Sequence, residues 1–306
     1  MNATPIVLLS IILPALLPRH LVKAGAKATA KASATALAAV AALLLNVAFC
    51  TAVLADELVI SGSGNPELVL RALAEAFGRQ QTQHRVSVPP STGTAGALRD
   101  VEAGAAVLGR VGRPLKSDEL ARGLVYVPLG RDPVTFVAGA GAGIKGVTQA
   151  QVLDAYSGRI SNWRELGGKS GPIRAIGRES TDSSRQAINR SIKAFDSVKF
   201  GDDVKMVHLD PQMLELLDRY PGSLGFLNRS ALAACKTPVV YLSLDGVESS
   251  PQNVGAGRYP LWLDFGLIHK SGSLTPAAKA FISFVQSSAG LSVLRGHGVL
   301  AAAGQQ

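Results

Sequence analysis

Cysteine is almost missing from this chain: Cys50 and Cys235 are 2 residues in 306. If Cys50 leaves with an N-terminal leader, Cys235 stands alone and no internal disulfide can form. Aromatic residues make up only 5% and charged residues 17%. With no lysine-rich run and little aromatic interleaving, a nucleic-acid partner is discounted despite a formal net charge of +9. Acidic residues are absent from positions 1–55, which carry four basic ones, Arg19, Lys23, Lys27 and Lys31. Subtracting those four from 31 Lys+Arg, against an unchanged 22 Asp+Glu, lowers the net charge from +9 to +5. A mild excess of that size suits a small anion better than a polyanion.

Chemistry-bearing motifs are also scarce. There is no G-x-S-x-G nucleophile elbow, and GGKS at Gly167–Ser170 fails as a phosphate loop because Trp163 stands where its first glycine is required. The histidines after the leader, His84, His208, His269 and His297, have no metal-ligand spacing and read as surface or internally satisfied residues. Trp163 and Trp262 read as packing residues. No catalytic residue, metal or cofactor is expected. A phosphatase using a loop serine ranks last, because no base lies near any serine in sequence.

What is present begins with the leader. An apolar run from Ala36 to Ala55 ends in VLADE, with Val53 and Ala55 at the -3 and -1 positions of a small-residue cleavage site. Residues 1–55 are therefore expected to be a secretory signal peptide, with an uncleaved membrane anchor as the alternative. Phe49 before Cys50 argues against a lipoprotein. The whole chain is 47% hydrophobic and long enough for one large or two medium domains.

A unit of strand, small polar loop and helix then occurs three times. ELVISG reads as a buried strand, and SGSGNPELVLRALAEAF as a loop and helix with Asn65 as N-cap, Pro66 at the first helical position and Val69, Leu73 and Phe77 on one face. HRVSV, PPSTGTAG and ALRDVEAG give the second unit, and IRAIG, RESTDSS and RQAINRSIKAF the third, with Ile188, Ile192 and Phe195 as its stripe. The first turn of a helix offers unpaired N–H groups at the positive end of its dipole, and Gly, Ser and Thr add close approach and donors without charge. Three such loops make an anion site if the fold brings them together.

Several segments, in order, resemble the periplasmic phosphate-binding proteins of ABC importers. They are SGSGNPELVLRAL, STGTAGALRDVEAGAAVLGRVGRPLKSDE, VTQAQVLDAYSGRISNWRELGG, PIRAIGRESTDSSR, PGSLGFLNRS, LDGVESSPQNVGAGRYPLWLDFGLIHK and PAAKAFISFVQSSAGLSVLRGHG. Simple cap or core logic would not generate SGRISNWRELGG or NVGAGRYPLW, which makes these two segments the more specific. The resemblance implies an α/β, two-lobed periplasmic-binding-protein fold of type II with two chain crossings. Lobe one is expected at 56–135 and 240–306 and lobe two at 136–239, with hinges near Pro133–Phe136 and Pro238–Leu242. It also implies a periplasmic monomer that takes phosphate or a related tetrahedral oxyanion and delivers it to an ABC permease. The alternative is a sensory or regulatory module of the same fold.

Carried over residue by residue, the resemblance puts the first anion loop on Ser63, Gly64 and Asn65, and the second on Thr94. The third is Arg178 with Asp182, Ser183 and Ser184, of which Arg178 is the anion-binding cation; Glu179 is expected to face solvent. Arg113 and Arg185 are further candidates, Arg185 facing either ligand or solvent. Two departures stand out. Gly112 occupies the position where phosphate-selective members carry an aspartate that accepts the ligand's proton, with Arg110 and Arg113 beside it. Asp182 replaces a hydroxyl, and is either an N-cap of the following helix or a relocated proton acceptor.

Overall fold

The computed structural model describes residues 56–233, 236 and 238–302. The leader expected over residues 1–55 lies outside them, as do Cys50 and Cys235. The ELVISG run forms β1 (Asp56–Gly62), and α1 (Glu67–Gln80) follows with Val69, Leu70, Leu73, Ala76 and Phe77 turned inward. Then come β2 (His84–Ser87), α2 (Gly93–Glu102), β3 (Leu108–Val111) and α3 (Ser117–Ala121), with β1 paired in parallel to both β2 and β3.

The next strand, β4 (Leu124–Gly139), belongs to two sheets. Its first part pairs antiparallel with β11 (Trp262–Lys270) as far as Pro133, and its second part pairs with β8 (Ser223–Asn228) from Val134 onward. The strand order β2-β1-β3-β11-β4 thus continues into β4-β8-β6-β7, where β6 is Arg174–Arg178 and β7 is Lys205–Val207. These are the two lobes of a type II binding-protein fold, and β4 is one of the two crossings. Proline at position 133 lacks an N–H, so the pairing changes partners where the backbone has one donor fewer.

Beyond β4 the chain builds the second lobe from β5 (Gly146–Val147), α4 (Gln149–Ser157), α5 (Ser183–Ser191), α6 (Lys193–Ser197), α7 (Asp210–Arg219) and α8 (Arg229–Leu232). The SGRISNWRELGG segment, which cap and core logic did not seem to explain, proves to be made of both. Gly158 ends α4 at φ 80°, the Asn162 side chain accepts from Arg164 N, and Gly167 closes the short 3-10 turn at φ 82°. Trp163 between them is fully buried and donates through Nε1 to Gly222 O at 3.0 Å. Left-handed φ values explain the two glycines, since a Cβ there would be strained.

Val239–Tyr241 (β9) pairs antiparallel with β4, and Ser243–Leu244 (β10) pairs in parallel with β5. The chain then returns through α9 (Pro251–Gly255) to β11, and α10 (Pro276–Gln286), α11 (Ser288–Gly296) and β12 (Leu300–Ala301) complete the first lobe. Phe77 meets Phe281 and Phe284 edge-on in the first lobe, and Phe136, Tyr156, Phe195 and Phe226 cluster in the second. Each such edge contact adds about 0.5–1.5 kcal/mol beyond burial.

A buried polar cluster sits beside the β4 crossing. Asn228 donates to Asp132 Oδ2 at 2.7 Å, Ser230 Oγ at 2.9 Å and Asn65 O at 3.0 Å. Ser230 bonds Asp132 through both its N–H and its hydroxyl. Burial pushes the Asp132 carboxyl up to about 6, against the lowering effect of the Ser230 and Asn228 hydrogen bonds.

Candidate functional site

The three loops do converge. One cleft of about 580 Å³ is lined by Ser63–Asn65, by Ser91–Ala95, and by Arg178, Glu179 and Thr181–Ser183. Its volume falls in the ordinary range for small-ligand sites. Arg113, Lys116, Gln186 and His208 also line it.

Two of the three helix N-termini border it. Neither N-cap residue, Pro66 of α1 or Thr92 of α2, makes a side-chain cap bond, although Glu67 N donates to Gly64 O at 2.9 Å and Gly93 N to Ser91 Oγ at 3.2 Å. Asn65 was expected to cap α1. Pro66 takes that position, and the Asn65 amide instead reaches Ser184 Oγ at 2.8 Å in the other lobe. Ser184 is fully buried, does not line the cleft, and its hydroxyl accepts this interlobe bond. Thr94 lines the cleft, with Gly112 N 3.4 Å from its hydroxyl.

The third N-terminus is already occupied. Asp182 caps α5, accepting from Arg185 N through Oδ1 at 2.9 Å, so the cap reading of Asp182 holds. Its second oxygen pairs with Arg178 Nη2 at 2.9 Å. Arg178 itself is 3% exposed and also bonds Asp210 through Nη1 and His208 O at 3.0 Å. Glu179, expected to face solvent, lies 3.6 Å from Arg178 Nε and 3.6 Å from His208 Nδ1. One guanidinium therefore faces three carboxylates, and its Nε has no hydrogen-bond partner. Burial opposes the Arg178 charge, but Asp210 and Asp182 more than offset it and hold the guanidinium firmly protonated. Burial, assisted by the Asp210 charge and opposed by Arg178, pushes the Asp182 carboxyl up to about 6.

The remaining arginines are committed elsewhere. Arg113 grips Glu119 at 2.6 and 2.7 Å, which holds that carboxyl down to about 2. Arg110 is fully buried, bonding Ser63 O, Ile60 O and Pro89 O and pairing with Glu67 at 3.2 Å. It braces the first loop from behind. Arg185 does not line the cleft and is half-buried: it donates to Arg178 O at 2.6 Å and stacks on Phe200 at 4.5 Å. Gly112 lies where the lobes touch. A Cβ there would stand 2.6 Å from Ser183 Oγ and 3.0 Å from Ser63 Oγ.

Asp210 and His208 were not anticipated. They come from the β7–α7 junction, about thirty residues beyond Arg178, where Asp210-Pro211 reads as an ordinary helix start. Only the parallel pairing of β6 with β7 brings that junction beside Arg178.

Two α/β lobes, a strand shared between them and a polar cleft at helix N-termini define a two-lobed solute-binding protein. The chain belongs to the PBP superfamily, whose domain profile matches residues 26–289. It is 28% identical over 232 residues to the phosphate-binding protein PstS of Bacillus subtilis (strain 168), covering 75% of each chain. Among solved structures, a Clostridium perfringens protein assigned to phosphate ABC transport, with bound phosphate, superposes with a TM-score of 0.69. That match is 25% identical and covers 81% of this chain and 100% of the other. The high-affinity periplasmic phosphate-binding protein PfluDING, bound to phosphate, gives a TM-score of 0.62 at 15% identity, covering 80% and 90%.

Proposed function

We propose that this chain is an exported solute-binding protein that captures inorganic phosphate, or a related tetrahedral oxyanion, between its lobes and delivers it to an ABC permease. The observation that carries this reading is one cleft lined by the polar loops that lead into α1 and α2 and by the buried guanidinium of Arg178. Ser63, Gly64, Asn65 and Thr94 supply the first-lobe side, and Arg178, Asp182 and Ser183 the second, where charged hydrogen bonds strengthen as water leaves. Ser184 acts through Asn65, as a link between lobes. Relatives that bear phosphate in their names or in their crystals support the ligand class. Lobe two runs from Val134 to about Ser249, with β4 as one hinge and the segment before α9 as the other. No turnover is required: binding and closure are the function.

The test is calorimetric titration of protein lacking residues 1–55, stripped of ligand by unfolding and refolding. Saturable one-site binding of phosphate is expected, with less dependence on ionic strength than a surface site shows. No affinity for phosphate, sulfate, phosphonates or arsenate would end this reading.

A further inference from the structure

We propose that Ser184 and Asn228, both in the second lobe, are positioning residues for the first oxyanion loop, Ser63–Asn65. The inference rests on the oxyanion capture proposed above and concerns how that loop is held rather than what it selects.

Asn65 precedes Pro66, and a residue before proline is pushed toward extended backbone. Pro66 takes the N-cap position of α1, so the Asn65 side chain has no cap to make. It is nevertheless only 2% exposed, and its amide and carbonyl need partners away from water. They find them in the other lobe. Asn65 Nδ2 donates to Ser184 Oγ at 2.8 Å and, at 3.4 Å, to Asn228 Oδ1. Asn228 Nδ2 returns a bond to Asn65 O at 3.0 Å. Ser184 on α5 and Asn228 at the end of β8 are themselves fully buried. From within the first lobe, Arg110 holds the near end of the loop through Ser63 O at 2.7 Å. Ser184 and Asn228 hold its far end.

Asn228 is fixed in turn by the β4 crossing. It donates to Asp132 Oδ2 at 2.7 Å and to Ser230 Oγ at 2.9 Å. Asp132 stands one residue before Pro133, and Val134, the first β4 residue to pair with β8, lies opposite Asn228. The two N–H groups of the Asn228 amide are shared among three acceptors, so the side chain cannot turn without losing one. A buried hydrogen-bonded chain thus runs from the hinge strand through Asn228 to Asn65 and on to Ser184. Ser63, Gly64 and Asn65 line the cleft, whereas Ser184, Asn228 and Asp132 do not. The latter three act on a ligand through Asn65. Swinging the lobes apart parts Asn65 from these partners, so closure and the setting of the first loop are one event.

The experiment is a double-mutant cycle on phosphate affinity, measured by calorimetry at pH 7.5 on exported protein stripped of ligand. Its members are the wild type, Asn65→Ala, Ser184→Ala and the double variant. Ser184→Ala is expected to weaken phosphate binding about 3- to 10-fold, the scale of one net hydrogen bond. In the Asn65→Ala background the same substitution is expected to change nothing further, because Ser184 then has no side chain to position. A brace that serves stability alone would leave the affinity untouched. Asn228→Ala, which cuts the bond to Asn65 O, is expected to weaken binding by a similar factor. Unchanged affinity in Ser184→Ala, or an undiminished effect in the Asn65→Ala background, overturns the inference. Ser184→Cys, close in size and a weaker acceptor, takes its place if the alanine variant does not fold. Wild-type protein that binds phosphate while the cycle is additive overturns the positioning role alone; wild-type protein that binds no oxyanion overturns the capture reading as well.

Discussion

Arg178→Ala is expected to lose measurable oxyanion binding and about 3–5 kcal/mol of folding stability, the size seen when one partner of a buried ion pair is removed. Asp182 and Asp210 are each nearly inaccessible, and both lean on this one guanidinium. Without it two carboxylates remain buried with no countercharge, beside the Asp210 oxygen that already lacks a partner. The deficit is expected to be larger at pH 7.5 than at pH 5, because acid neutralises Asp182 and relieves part of the repulsion. Urea denaturation at the two pH values reads both effects. A variant that loses binding at unchanged stability would mean the carboxylates do not depend on Arg178.

The second large effect concerns pH alone. Asp132 and Asp182 are both pushed up to about 6, from an ordinary value of 3.8. A carboxyl with a raised native value binds its proton more tightly when folded. The stability it contributes is therefore full below about pH 4 and is lost as pH rises through about 6. Two such groups, each shifted by roughly two units, remove on the order of several kcal/mol across that window. Glu119 works in the other direction: held down to about 2, it adds stability as pH rises toward 4.5. Stability is thus expected to peak near pH 4–5 and decline toward pH 7. Thermal unfolding across this range checks it, and the Asp132→Asn, Asp182→Asn double variant is expected to flatten the decline. A flat wild-type profile above pH 5 would contradict the account.

Much of the fold was legible because each strand-loop-helix unit is locally consistent. Val69, Leu73 and Phe77 are buried where the four-residue spacing put them, and so are Ile188, Ile192 and Phe195, although the helix breaks at Ile192. The convergence of three polar loops on one cleft was readable as a possibility from their repetition. The partners of each side chain were not. Asn65 looked like a cap because local spacing favours one, yet its amide finds Ser184, 119 residues away in sequence. Arg178 looked like a free cation because the carboxylate that grips Nη1 arrives from another strand-helix unit, 32 residues on. Arg110 and Arg113 gave a cationic text whose charge is cancelled by Glu67 and Glu119 only in three dimensions. Sequence reports which residue types reach a loop end; long-range pairing decides which remain available to a ligand.

An oxyanion is expected to sit between the loops that lead into α1 and α2 and the guanidinium of Arg178. Arsenate shares the geometry of phosphate and scatters anomalously, so crystals grown with it show the position directly. The account predicts one strong anomalous peak within hydrogen-bonding reach of Arg178, Thr94 and the Ser63–Asn65 loop. A peak confined to another cavity, such as the one lined by Lys199–Val204, with this cleft empty, would contradict it.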